Sequence, residues 1–173
     1  MSGGSVVRGG AALRPVDAGS VKRLAALHAL CFDHARDAPS IARLLAMPGA
    51  FGFTVEDGAG GEAGDDPDAL PAGLVLARVG GGEAEILSIG VAPPARGAGL
   101  GHRLLKAVAI HAAAAGAGSL FLEVAEDNLP ALALYERFGF HTVGIRPAYY
   151  ARGAARISAR TLKFDIPSPA AEP

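Results

Sequence analysis

The chain has 173 residues, a formal net charge of −1, 50% hydrophobic and 19% charged residues. That is enough for one domain with a sizeable core, and the balance of charge argues against recruitment by nucleic acid or an anionic membrane. Its one cysteine, Cys31, excludes an intramolecular disulfide or a cysteine-rich metal site and fits a reducing compartment.

Residues 1–10, MSGGSVVRGG, lack the apolar core of a secretory signal, and no stretch reads as a membrane span, so cytoplasmic residence is expected. This leader and the tail 167–173 carry too few large apolar side chains to offset the entropy of ordering. Both are expected to be disordered, flanking a single domain over 11–166. Val21, Leu24, Ala25, His28 and Cys31 recur at the spacing of one helical face, which Asp17 can cap. Ser40 or Asp37 opens a second helix through IARLLAM, stopped at Pro48-Gly49.

FGFTVED then reads as a strand. The glycine-rich connection after it carries Asp65, Asp66 and Asp68, which read as a solvated hairpin tip, with attraction for a basic peptide as the alternative. AGLVLARV and EAEILSIGVAP continue a meander. Leu100, Leu104, Val108, Ala112 and Ala115 line a long helix closed by Gly116 and Gly118. SLFLEVAE is the next strand; Pro130 starts a short helix that Gly139 ends. HTVGI and RISARTLKFDI read as two final strands flanking a loop that holds Tyr149, Tyr150 and Arg152. The order is a candidate first strand followed by ααβββαβαββ, an α/β (α+β) chain. His28, His34, His102 and His111 have no metal-ligand spacing with acids or Cys31, and no metal is expected.

VAPPARGAGLGHRLL is the most informative stretch: strand, proline break, glycine turn, helix. Such a turn offers several backbone N–H groups at the positive end of a helix, where a pyrophosphate can accept them. Glycines at 97, 99 and 101 permit close approach. His102 stands where a triphosphate-binding loop needs Lys-Ser/Thr, and neither frame completes Gly-x-Gly-x-x-Gly, so both nucleotide loops are disfavoured.

Arg96-x-x-Gly99-x-Gly101, followed by Asn128-x-x-Ala131-x-x-x-Tyr135-Glu136-x-x-Gly139-Phe140, resembles the GNAT-type N-acetyltransferases, which use acetyl-CoA. The resemblance implies a mixed, mostly antiparallel sheet splayed between the fourth and fifth strands, with helices on both faces. It also implies a CoA site formed by Arg96, Gly97, Ala98, Gly99, Leu100, Gly101 and His102, with Asn128 and Tyr135 as further contacts. Along the preceding strand the Ile89, Gly90 and Val91 backbone would pair with the pantetheine arm, unobstructed at Gly90.

By alternation, Leu120, Leu122 and Val124 share one strand face, and Phe121, Glu123 and Ala125 the other. A carboxylate beside the core demands either a partner, such as Arg146 or Arg152, or a role as a general base with a raised pKa. Acetyl transfer requires a neutral amine. At pH 7 deprotonation costs about 1 kcal/mol for an α-amine and nearly 5 for a lysine, so an α-amine is the easier acceptor. Glu123, directly or through a water, is the candidate base. Tyr135 is the candidate acid toward the leaving thiolate, chiefly as a hydrogen-bond donor, because full proton transfer is uphill by about 2 kcal/mol.

FLEVAEDN and LYERFGF, with Tyr149-Tyr150 beyond, look most like the RimI-type ribosomal-protein alanine N-acetyltransferases. This likeness matches Glu123 and Tyr135 to base and acid, places Cys31, Phe32, Tyr149 and Tyr150 beside the acceptor, and implies as partner a peptide or protein N-terminus, a ribosomal protein included, for a monomer or weak dimer. CFDHARDAPS lacks the Pro-Trp-Ser of that group, and AARISARTL replaces its acidic stretch. The donor expectation stands, while a small-molecule amine acceptor, or a non-catalytic acyl-CoA-binding module, remain alternatives. Direct attack in a ternary complex is expected, since Cys31 lacks a basic partner for a thiol acyl-enzyme.

Overall fold

The computed structural model describes residues 12–56 and 69–167. The expected leader, most of the tail, and the acidic tip at Asp65, Asp66 and Asp68 lie outside the described residues. The elements run β1 (Leu13–Pro15), α1 (Val21–Cys31), α2 (Ala38–Leu45), β2 (Ala50–Val55), β3 (Gly73–Gly80), β4 (Glu83–Val91), α3 (Leu100–Ala114), β5 (Ser119–Ala125), α4 (Leu129–Phe138), β6 (His141–Arg152) and β7 (Ala155–Asp165).

The seven strands form one sheet in the order β1-β2-β3-β4-β5-β7-β6, antiparallel everywhere except between β4 and β5. That parallel seam is three residue pairs long, Glu83 to Ser119, Ala84 to Leu120 and Glu85 to Phe121, and beyond it the two strands part. The expected splay is therefore present, and a register shift opposite Leu76/Ala77, which leaves Leu87 between the paired Ile86 and Ser88, bends β4 away at that point.

Both faces of the sheet are covered. Leu104, Leu105 and Val108 of α3 pack on Val75, Leu120 and Leu122 in the larger core, while Leu24, Leu27 and Ile41 of α1 and α2 pack on Leu74 and Leu76. Full burial of each such leucine contributes about 2 kcal/mol. Leu27 is a core residue the expected α1 face omitted, and Ala115, placed on the α3 face, is exposed.

Asp17 caps a 3-10 turn over Ala18–Ser20 leading into α1, rather than α1 itself, and its carboxylate accepts the Ser20 N–H at 2.9 Å. Of the two candidates for opening α2, Asp37 is the cap, accepting the Ser40 N–H at 2.9 Å. The final hairpin needs a larger correction. β6 continues through Tyr149, Tyr150 and Arg152, which were expected in a loop, because an irregularity between Arg146 and Tyr150, with Ala148 at φ +52, absorbs the break without ending the strand.

Candidate active site

β4 ends at Val91, and a proline turn and the glycine segment then deliver the chain to α3. Gly99 is the N-cap of α3 in the left-handed region, φ +78, and Gly97 has φ +81. The first N–H to bond back into the helix is that of Arg103, to the Gly99 carbonyl. The amides of the first helical turn, Leu100, Gly101 and His102, therefore precede the ladder and can serve an anion. A Cβ at Gly97 or Gly99 would meet nothing within 4 Å, so the outside of the turn is open space. This cradle fits a diphosphate. Arg96 closes the turn onto the strand by donating from Nε to the Val91 carbonyl at 3.1 Å. His102 is exposed and its ring stands edge-on to Phe138.

Where β4 and β5 part, a cavity of about 790 Å³ opens. Ser88 and Ile89 form its β4 wall and Glu123 its β5 wall, with Asn128, Tyr135 and Tyr150 around them. Glu123 and Tyr135, distant from the α1–α2 loop in sequence, thus share one cavity with Phe32 of that loop. Asn128 also caps α4, its side-chain oxygen accepting the Ala131 N–H at 3.3 Å.

Glu123 is partly exposed, and Arg146 Nε donates to its Oε1 at 2.9 Å. Of the partners considered, Arg146 is the one that pairs; Arg152 instead binds Asp127 at 3.3 Å and reaches Asp33 at 3.8 Å. Arg152 thereby joins the end of β6 to the β5–α4 turn and the α1–α2 loop at the rim of the cavity. Burial pushes the Tyr135 phenol far above its ordinary value, with Tyr150 adding to the effect. Tyr150 is raised too, by burial first and then by the charge of Glu123, which places these three groups in one electrostatic neighbourhood.

Two residues expected beside the acceptor, Tyr149 and Cys31, and one expected on the donor edge, Gly90, sit differently from that expectation. Tyr149 is 48% exposed, lies under the Arg146 guanidinium at 5.4 Å, and is not among the residues lining the cavity. Cys31 does not line it either: it packs behind β4, and its thiol is pushed up by burial, which suits no nucleophile. Gly90 is required for a reason other than an unobstructed ligand path, since a Cβ there would lie 2.9 Å from Cys31 Cβ and 3.0 Å from the Phe32 ring. The glycine lets α1 sit down on β4.

His28, expected only as a core or surface residue, is 3% exposed and uses both ring nitrogens. Nδ1 accepts the Arg36 N–H at 3.1 Å, which leaves Nε2 to donate to Ser88 Oγ at 2.9 Å. Burial, with a smaller push from Arg36, lowers its pKa to about 4. Between about 6.5, the unfolded value, and 4 the unfolded chain binds the extra proton and the folded one does not, so stability falls as pH falls through this window. We expect wild type to lose up to about 3 kcal/mol more than His28→Gln between pH 7 and pH 4, read by urea unfolding. Equal losses in the two proteins would contradict a neutral, buried His28.

Among the described residues no group of three or more His, Cys, Asp or Glu side chains could hold a metal, and no helix is long and apolar enough to cross a membrane. Residues 21–140 match the acetyltransferase (GNAT) family. The chain is 41% identical over 87 residues to the N-alpha-acetyltransferase RimI of Mycobacterium tuberculosis, covering 50% of this chain and only 52% of that protein. It is 34% identical over 144 residues to the streptothricin acetyltransferase of Streptomyces lavendulae, covering 78% of this chain and 76% of that one. The fold matches the ribosomal-protein-S18-alanine N-acetyltransferase of Escherichia coli with a TM-score of 0.79 at 23% identity, over 94% of this chain and 97% of the other. The glycine cradle at α3, the parted β4 and β5, and the match over 21–140 lead to one conclusion: the chain belongs to the GNAT family of acetyltransferases.

Proposed function

We propose that the chain transfers an acetyl group from acetyl-CoA to the α-amine of a peptide or protein N-terminus, by direct attack in a ternary complex. The observation that carries this reading is the cavity at the β4–β5 parting, which brings Glu123, Tyr135 and Tyr150 together beside Ser88 and Ile89. The first-turn amides of α3, with Gly97, Ala98 and Gly99, would take the diphosphate. The β4 edge at Ile89, Gly90 and Val91 would meet the amide-bearing arm, so that the thioester reaches the cavity.

The amine arrives largely protonated and must lose a proton before it can attack. Glu123, directly or through one water, accepts it. Arg146 is mostly exposed, so the pair it makes with Glu123 is easily exchanged for an incoming ammonium. When the C–S bond breaks, the negative charge on sulfur is met by the Tyr135 hydroxyl. Its raised pKa keeps it protonated at neutral pH, so it acts as a hydrogen-bond donor rather than giving the proton up outright.

A small-molecule amine is the second reading, favoured by the likeness to the streptothricin acetyltransferase, which extends over more of both chains than the RimI likeness. A panel separates the two. With acetyl-CoA as donor, we expect peptides with a free N-terminal alanine to turn over at least about tenfold faster than the same peptides N-terminally blocked but carrying lysine, reflecting the lower cost of deprotonating the α-amine. Turnover of streptothricin or of simple polyamines with every peptide inert would favour the second reading over the first.

A further inference from the structure

The α1–α2 loop and strand β4 line the same cavity side by side: Phe32, Asp33, His34 and Arg36 from the loop, Ser88 and Ile89 from the strand. One buried side chain bonds to both. His28 accepts from the Arg36 amide and donates to Ser88 Oγ, while its ring stacks on Phe32 with centroids 4.1 Å apart. Ser88 is the first residue of β4 back in register after Leu87, where the strand has already left β5. Phe32 in turn presses on Gly90, within 3.0 Å of where a Cβ would stand.

We propose that His28 is a positioning residue that couples the donor-binding edge of β4 to the acceptor-side loop, so that a ligand seated along Ile89 to Val91 orders residues 32–36. The proposal rests on the reading of β4 as the donor edge. A neutral imidazole suits the task because it carries one donor and one acceptor on opposite sides of a rigid ring, so a shift of Ser88 moves the ring and with it the Arg36 amide. Lysine, arginine or a carboxylate offers only one of the two roles. Neither the general base nor the acid of the proposed reaction is touched: His28 acts through the loop it holds.

The test is amide hydrogen exchange over 32–36 with and without acetyl-CoA, in wild type, Ser88→Ala and His28→Leu, which removes both bonds, alongside acetyl-CoA affinity by calorimetry. Ser88→Ala keeps the His28 to Arg36 bond and removes only the link to β4, so it is informative even if the histidine variant does not fold. The expected result is that acetyl-CoA slows exchange across the wild-type loop by at least about fivefold, and that the variants bind acetyl-CoA within about threefold of wild type but lose that response. A histidine that merely fills the core would lower stability in the variants without removing the ligand-dependent protection. An undiminished loop response in Ser88→Ala, or acetyl-CoA binding to wild type with no loop response, would overturn the coupling alone. Absence of acetyl-CoA binding to wild type would overturn the donor reading and the coupling with it.

Discussion

Replacing Glu123 by Gln is expected to lower kcat by at least about a hundredfold with little change in acetyl-CoA affinity, because a positioned general base typically contributes that much. The substitution keeps the shape of the side chain and an oxygen for Arg146 Nε, so packing around β5 and the 2.9 Å contact can persist while the proton acceptor is gone. Calorimetry with acetyl-CoA would confirm that the donor still binds, and single-turnover acetylation of an accepted amine would measure the chemistry. Turnover within threefold of wild type would reduce Glu123 to an ion-pair partner of Arg146. Retained binding with no turnover even in the wild type, across peptides and small amines, would instead favour a non-catalytic acyl-CoA-binding module.

The second large effect is expected at the cradle. Gly99→Val should weaken acetyl-CoA binding at least thirtyfold, about 2 kcal/mol, and lower the melting temperature. The space is not the obstacle, since a Cβ at Gly99 meets nothing within 4 Å. The backbone is. At φ +78 a β-branched residue is strained, and relaxing to negative φ would turn the helix cap and re-aim the amides of Leu100, Gly101 and His102. Gly101→Ala offers a contrast with another cause, because its new Cβ would lie 2.9 Å from Leu134 Cδ2, so that the leucine methyl must turn aside or α3 and α4 must part slightly. An affinity for acetyl-CoA unchanged in Gly99→Val would remove the α3 N-terminus from the donor site.

Local chemistry made much of this fold legible. The strand, proline and glycine run from Val91 to Gly101 could only be a tight entry to a helix, and Pro130 with Gly139 bracketed α4 within a residue. The alternation separated Leu120, Leu122 and Val124 from Glu123 and set the carboxylate beside the core, and the structure puts those three in the larger core and Glu123 on the cavity wall. What eluded a one-dimensional reading depends on partners far away in sequence. Whether Arg146 or Arg152 takes Glu123, and which of the neighbouring Tyr149 and Tyr150 faces the cavity, depends on how the long β6 lies against β7. The role of Gly90 depends on Cys31 and Phe32 arriving from a helix about 60 positions earlier. The His28 bridge had no motif at all, since its two partners, Arg36 and Ser88, belong to different elements.

The seam between β4 and β5 makes this sheet unlike an ordinary one in its response to load. Four strands on one side and three on the other are zipped by three residue pairs, and past Glu85 the facing main-chain groups of β4 have no strand across from them. A sheet with such a short joint opens there first, whether by thermal breathing or by pulling, while the antiparallel hairpins on either flank hold. An extended molecule lodged in the gap would stitch the two halves together, so its arrival should stiffen the protein across its middle and its departure should return a fault line.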